Sequence, residues 1–256
     1  MRLKHQLRFL TIYSAVVTAA FALTVYFGTT RHVIGASDAT EFDRIRAHRI
    51  DIVEPDGTPR LSISNRGAFP GTVYHGHETP RHDRNDSAGL LFFNDEGTED
   101  GGLIYGGKKV GAAPTSFSHL SFDQYDQDQT IDIGTSLTDS GKASGIVLND
   151  APAFPITPDL AAEADRIKAM PHGKARAEAW ADLTRRFPGL TERASMMRAL
   201  DGSVGIRLRD QQGRSRLELE VTAAGDPQIR LLNPQGKVEK QLTLAAIPFE
   251  PPASRK

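Results

Sequence analysis

The chain contains no cysteine, which excludes disulfide frameworks, thiolate zinc sites and cysteine nucleophiles together. An oxidising compartment remains compatible with that composition. A surplus of either charge is lacking as well: 31 Lys and Arg stand against 32 Asp and Glu, a formal net charge of -1. With no overall positive field to collect phosphate backbones, nucleic acid is not expected as a partner. No G-x-S-x-G elbow, H-E-x-x-H helix or dinucleotide-binding glycine pattern occurs. What remains is 39% hydrophobic and 25% charged over 256 residues, an ordinary globular balance with enough apolar material for one sizeable core.

A long apolar run occurs near the start. Phe9 to Phe27 carries no charge, with Arg2, Lys4 and Arg8 before it and Arg31 after it. A helix of about 20 residues covers the roughly 30 Å of a bilayer's hydrocarbon core, so the run predicts a transmembrane signal-anchor helix over residues 9–28. The basic residues ahead of it place residues 1–8 in the cytoplasm and the bulk of the chain in the periplasm or outside the cell. The lipid bilayer is thus the first expected partner. A cleaved signal peptide competes, because Ala20-Phe21-Ala22 resembles a cleavage site, but cutting there would leave apolar Leu23 to Phe27 on the mature terminus. Residues 29–45, with Gly35-Ala36-Ser37, read as a linker.

From about residue 46 the pattern becomes alternation. Ile50 and Ile52, Leu61 and Ile63, Leu120 and Phe122, Ile131 and Ile133, and Ile146 and Leu148 sit two apart, as do Val204, Ile206 and Leu208, then Leu217, Leu219 and Val221, then Ile229 and Leu231. Period two predicts half-buried strands, and a sheet with one wet face is typically antiparallel. Five turns agree: Glu54 to Gly57, Asn94 to Gly97, Thr138 to Gly141, Asp210 to Gly213 and Asn233 to Gly236. Four begin with a side chain able to bond nearby backbone N–H groups, and all five place glycine fourth, where a left-handed residue follows a type I turn. The expected fold is therefore mainly β, an antiparallel β-hairpin meander of about ten strands over residues 46–246, closed as a barrel or folded as a sandwich, with residues 247–256 as a tail.

The stretch FFNDEGTEDGGLIYGGKK (92–109) comes close to a phosphate-binding G-x-x-x-x-G-K-[ST] loop. That motif requires a hydroxyl after its lysine and a helix beyond it, whereas Lys109-Val110-Gly111-Ala112-Ala113-Pro114 follows. The carboxylates also miss the spacing of a calcium loop. A tight turn between two strands is the reading that survives.

Two segments depart from the strand pattern. Residues 157–200 read as a helical insertion: Thr157 caps, Pro158 takes the first helical position, and Ala177, Trp180, Leu183 and Phe187 share a face of a second helix. Residues 66–88 form a long polar connection, and long loops of this kind tend to be functional or disordered. That connection holds His75, His77 and His82. Two imidazoles two apart on an extended segment project to one side, so His75 and His77, with His82 as third ligand, form a candidate zinc or copper site. A preorganised site is not implied by glycine- and proline-rich surroundings, and the reading without a cofactor stands beside it. Asp123, Asp126, Asp128 and Asp132 are the densest carboxylate group, expected in a solvated turn with ordinary acidities.

The blocks RIDIVEPDGTPRLSISN, FFNDEGTEDGGLIYGGKK and SFDQYDQDQTI together resemble an uncharacterised group of bacterial membrane-anchored β-rich proteins. The resemblance covers roughly residues 43–150, more loosely 201–237, and implies a bacterial origin without an activity. The functional expectation is a structural or binding module held at the membrane, with a homo-oligomer or an envelope protein as possible partner. Alternatives are a metal-dependent hydrolase using the histidine loop, and an apolar-ligand carrier lidded by the helical hairpin.

Overall fold

The computed structural model describes residues 13–26, 40–81, 84–111 and 113–243. The chain divides into two units, Met1–Arg46 and Ala47–Lys256. In the first, residues 13–26 form a helix, α1, in which every described residue is exposed and none is charged. Its 14 residues cover about 21 Å, and among the described residues no helix is long and apolar enough to cross a membrane. The remainder of the 9–28 span lies outside the described residues.

The second unit is mainly β. Twelve strands form a single antiparallel sheet: β1 (Arg49–Val53), β2 (Pro59–Ser64), β5 (Ala88–Phe93), β6 (Glu99–Val110), β7 (Ala113–Asp123), β8 (Gln129–Thr138), β9 (Gly141–Asp150), β10 (Thr191–Arg198), β11 (Val204–Arg209), β12 (Ser215–Val221), β13 (Pro227–Leu232) and β14 (Val238–Thr243). Each pairs with its neighbours in that order, so the meander expected from the turns is present, with more strands than foreseen. The expected closure is not. β1 and β14 stand at opposite ends of the ladder, and the second sheet among the described residues is only the hairpin of β3 (Thr72–Tyr74) and β4 (His77–Thr79).

One hairpin design recurs. At 54–57, 94–97, 210–213 and 233–236 the fourth residue's N–H donates to the first residue's carbonyl at 2.9–3.0 Å, and the first N–H donates to the fifth carbonyl. A type I turn closed by a left-handed residue has this pattern, and the extra residue it inserts shifts the register next to it. Such shifts occur at Ile52/Val53, Phe92/Phe93, Leu208/Arg209 and Leu231/Leu232. The same closure appears at 199–202 and 222–225; at 124–127 the two hydrogen bonds recur, but the positive φ, 48, falls on the third residue, Asp126, rather than on the fourth. The Thr138 turn differs: Thr138 and Gly141 pair directly, leaving a two-residue connection. Gly57 sits at φ +92 with open space where a Cβ would stand, so strain alone decides its replacement. Gly57→Val should cost about 1–2 kcal/mol, visible as an earlier midpoint in urea unfolding. An unchanged midpoint would show that this turn is not held left-handed.

The helical insertion is shorter than expected. Thr157 caps α2 (Pro158–Ala169) by accepting from the Leu160 N–H at 3.3 Å, with proline in the first turn, and α3 is Lys174–Arg186. The two helices bury Ile167 and Leu183, and Phe154 meets Phe187 edge to face at 5.4 Å. Trp180 is only partly buried. Residues 191–198, TERASMMR, are not helical but form β10, paired with β9 on one side and β11 on the other. Its Ala, Met and Arg residues favour helix in isolation, and two flanking ladders override that preference.

Candidate binding face

The register brings the alternating aliphatic residues onto one face. Ile52 opposes Leu61, Leu61 opposes Phe92, and Phe92 opposes Gly101, which opposes Phe122. Phe122 meets Ile131, Ile131 meets Leu148, and Leu148 meets Ala194, which faces Leu208. Leu208 then opposes Leu217, and Leu217 opposes Leu231. A parallel row runs through Ile50, Ile63, Leu90, Leu103, Leu120, Ile133, Ile146, Met196, Ile206, Leu219, Ile229 and Leu242. An apolar band thus crosses all twelve strands.

None of the larger apolar side chains in these two rows is buried. The buried apolar residues of the large sheet among those described are Leu91 and Phe93, whose positions alternate with Leu90 and Phe92 and therefore belong to the opposite face. That opposite face is covered over β2, β5 and β6 by the 65–88 connection. Its hairpin β3–β4 lays Val73 against Leu91 and Phe93, with Phe69 and Ile104 alongside. The alternating aliphatics, expected to be core, instead form an open surface. At β10 to β14 it is hollowed into a cavity of about 450 Å³ lined by Met196, Val204, Ile206, Leu219, Val221, Ile229 and Leu242 among others. Strands alone line this hollow, so the helical hairpin is not its lid.

The opposite face of the same strands is charged. Arg230 pairs with Glu218 at 2.9 Å and Glu220 at 2.6 Å, Arg207 with Glu218 at 3.8 Å, and Gln228 donates to Glu220.

The histidine loop is a docked hairpin. His75 and Gly76 have φ 47 and 75 and form a two-residue turn between paired Tyr74 and His77, so the extended segment expected to align two imidazoles is a reversal instead. The Gly76 N–H donates to the Gly97 carbonyl, and the His75 N–H to Thr98 Oγ1. The His75 ring stacks on Tyr74 at 4.2 Å and puts Nε2 3.4 Å from Glu96 and 3.6 Å from Asp126. His77 is exposed at the start of β4, and His82 lies outside the described residues. Among the described residues no group of three or more His, Asp or Glu is placed to hold a metal ion.

A largely covered ionic unit has no signature in the sequence. Beneath the connection Arg84 grips Glu99 through two bonds of 2.9 and 2.6 Å and donates to the Gly71 carbonyl at 2.7 Å. Asp123 shares this covered face; loss of water on burial, then Glu99 and Asp128, push its carboxyl up to about 7, against a hydrogen bond from Ser121. Asp126 and Gln127 are also buried. The turn expected to be solvated is therefore packed, Gln127 donating to the Phe154 carbonyl at 2.6 Å and Asp126 accepting from the Ile156 N–H at 2.7 Å.

No protein-family model and no curated protein matches the chain.

Proposed function

We propose that this protein is a non-catalytic binding module held at a membrane by its N-terminal helix, with the apolar face of the twelve-stranded sheet as its binding surface. One observation carries the reading: an aliphatic band continuous over all strands, with none of its larger side chains buried. Soluble chains that stay alone rarely expose contiguous apolar patches beyond a few hundred Å², so a surface of this extent calls for an occupant. Arg84, Glu99 and the His75 turn fasten the connection to the sheet. For the anchor, the support is the uncharged α1 within the 9–28 run, exposed at every residue. Alkaline carbonate washing of producing cells' membranes should leave the protein in the pellet, and release into the supernatant would overturn the anchor.

Adjacent residues of β11 test the face. Ile206 and Arg207 project to opposite sides and are comparably exposed, Ile206 at 38% and the Arg207 side chain at 47%. Because the chain has no cysteine, Ile206→Cys and Arg207→Cys each report one face. In isolated membranes a water-soluble maleimide should label the position 207 variant and spare the position 206 variant. Equal labelling of both would mean the apolar face stands empty.

A further inference from the structure

We infer that the occupant of the apolar face is the same face of a second copy, packed sheet on sheet about a two-fold axis that crosses β9 at a small angle. The inference rests on the binding-face reading above and names its partner.

Extent is the first argument. At about 4.8 Å between strands, twelve strands span on the order of 50 Å, and the two apolar rows, two residues apart, lie about 7 Å apart along the strands; with the width of their side chains the band is on the order of 13 Å broad, roughly 650 Å² on each copy. Standard protein interfaces take about 600–1,000 Å² from each partner, and two sheets pack face to face at about 10 Å. A band of that length is wider than a compact apolar ligand needs, while a second identical sheet matches it in both dimensions.

Chemistry is the second. Aliphatic and aromatic side chains make up the interior of the band. Of the positions in register with it, Lys240 lies opposite Leu231 on the edge strand β14, and Arg198 opposite Val204 at the end of β10, where it bonds the Lys142 and Ala199 carbonyls. Charges at the margin keep their water when the middle is covered, so burial costs no unpaired charge. The other face of these strands carries the Arg207, Glu218, Glu220 and Arg230 network and has nothing comparable to offer a copy of itself.

Relief is the third. Toward one end of the band Phe92 and Phe122 stack at 6.3 Å across Gly101, a ridge with Phe122 47% exposed. Toward the other end lies the 450 Å³ hollow of β10 to β14. In the strand order, β6 under the ridge and β12 at the centre of the hollow stand equally far from β9, three strands to either side. The ridge belongs to the row of Leu208 and Leu217 and the hollow to the next row, of Ile206 and Leu219, so a two-fold tilted about 15° from β9, which sets the two sheets' strands about 30° apart, lays each copy's ridge into the other's hollow, and all but one strand of each sheet faces a partner. Isologous contact demands this self-complementarity, with residue i meeting j and j meeting i. The pairing places β7 over β11 and β9 over itself.

Crosslinking the full chain in native membranes with a short bismaleimide tests this. Leu148→Cys, on β9, should crosslink to itself and give a band at twice the chain's mass. Phe122→Cys should give none alone, since its own copy is about four strands or 19 Å away along the sheet, but a strong one when co-produced with Ile206→Cys. Asp132→Cys co-produced with Arg207→Cys, on the charged face, should give none. Loss of the Leu148→Cys band when Leu219→Glu is added would place the contact on this face. Absence of any dimer band while the position 206 thiol stays shielded from maleimide would overturn the second copy and leave the binding-face reading standing, with lipid as the occupant if detergent extraction unshields the thiol. A position 206 thiol as reactive as that at 207 would overturn both.

Discussion

Asp123→Asn should stabilise the fold at pH 8, by up to about 4 kcal/mol, and flatten its dependence on pH. The Asp123 carboxyl is pushed up to about 7, first because burial strips its water and then because Glu99, Asp128 and Asp100 surround it with like charge. In the unfolded chain the same group ionises near 3.9. Between those values the folded chain binds more protons than the unfolded one, so the group's favourable contribution is complete below about pH 4 and is lost as pH rises through 7. One carboxylate oxygen, Oδ1, has no hydrogen-bond partner, so ionisation there finds nothing to satisfy it. An amide of the same shape does not titrate and keeps the Ser121 side accessible as a partner. Urea midpoints at pH 4.5, 6 and 8 would check this: the two chains should be alike at the lowest pH and diverge upward. Parallel curves would place Asp123 in water.

The strands legible from sequence were those whose two faces differ. Period two at Ile131/Ile133, Leu217/Leu219 or Ile229/Leu231 arises because one side is polar, and the structure puts ion pairs such as Arg230–Glu218 on that side. β5 reads AGLLFF and shows no alternation, because Leu91 and Phe93 are covered by the connection while Leu90 and Phe92 join the open band. A strand apolar on both faces looks the same as a short buried helix segment. Alternation also reveals which residues share a face without revealing which face the chain covers. Here the apolar set is left open and the core forms on the other side, over small residues such as Ser62 and Ser121. The histidine turn departs from the expected extended segment for a local reason: Tyr74-His75-Gly76-His77 offers no hairpin signal unless a non-glycine residue accepts φ 47, as histidine does more readily than most. The Arg84–Glu99–Asp123 unit has no motif, since its members come from a loop and two separate strands and meet only in three dimensions.

That unit also sets the largest single loss expected on substitution. Arg84→Ala should destabilise the fold by about 3–5 kcal/mol, a large share of the 5–15 kcal/mol typical of a folded domain. The side chains of Arg84 and Glu99 are only 11% and 15% exposed, so water cannot replace the guanidinium, and Glu99 would be left close to Asp123 without a counter-charge. The Gly71 carbonyl would lose its donor as well. Removing both charges is a different matter, because most of the penalty belongs to the orphaned partner: Arg84→Met with Glu99→Leu should cost clearly less than Arg84→Ala alone. The comparison separates an ion pair that fastens the connection to the sheet from one that merely sits near it. Urea unfolding of the two variants decides, and a double variant as damaged as the single one would mean that packing volume rather than charge holds the hairpin down. The pair also bears on the open face at a distance. With β3–β4 released, Leu91 and Phe93 would lose their cover, the sheet would become apolar on both sides over β2, β5 and β6, and a chain that now presents one sticky surface would present two. Arg84→Ala should therefore aggregate on refolding where Phe122→Cys does not, since a second face without a two-fold partner permits open-ended association.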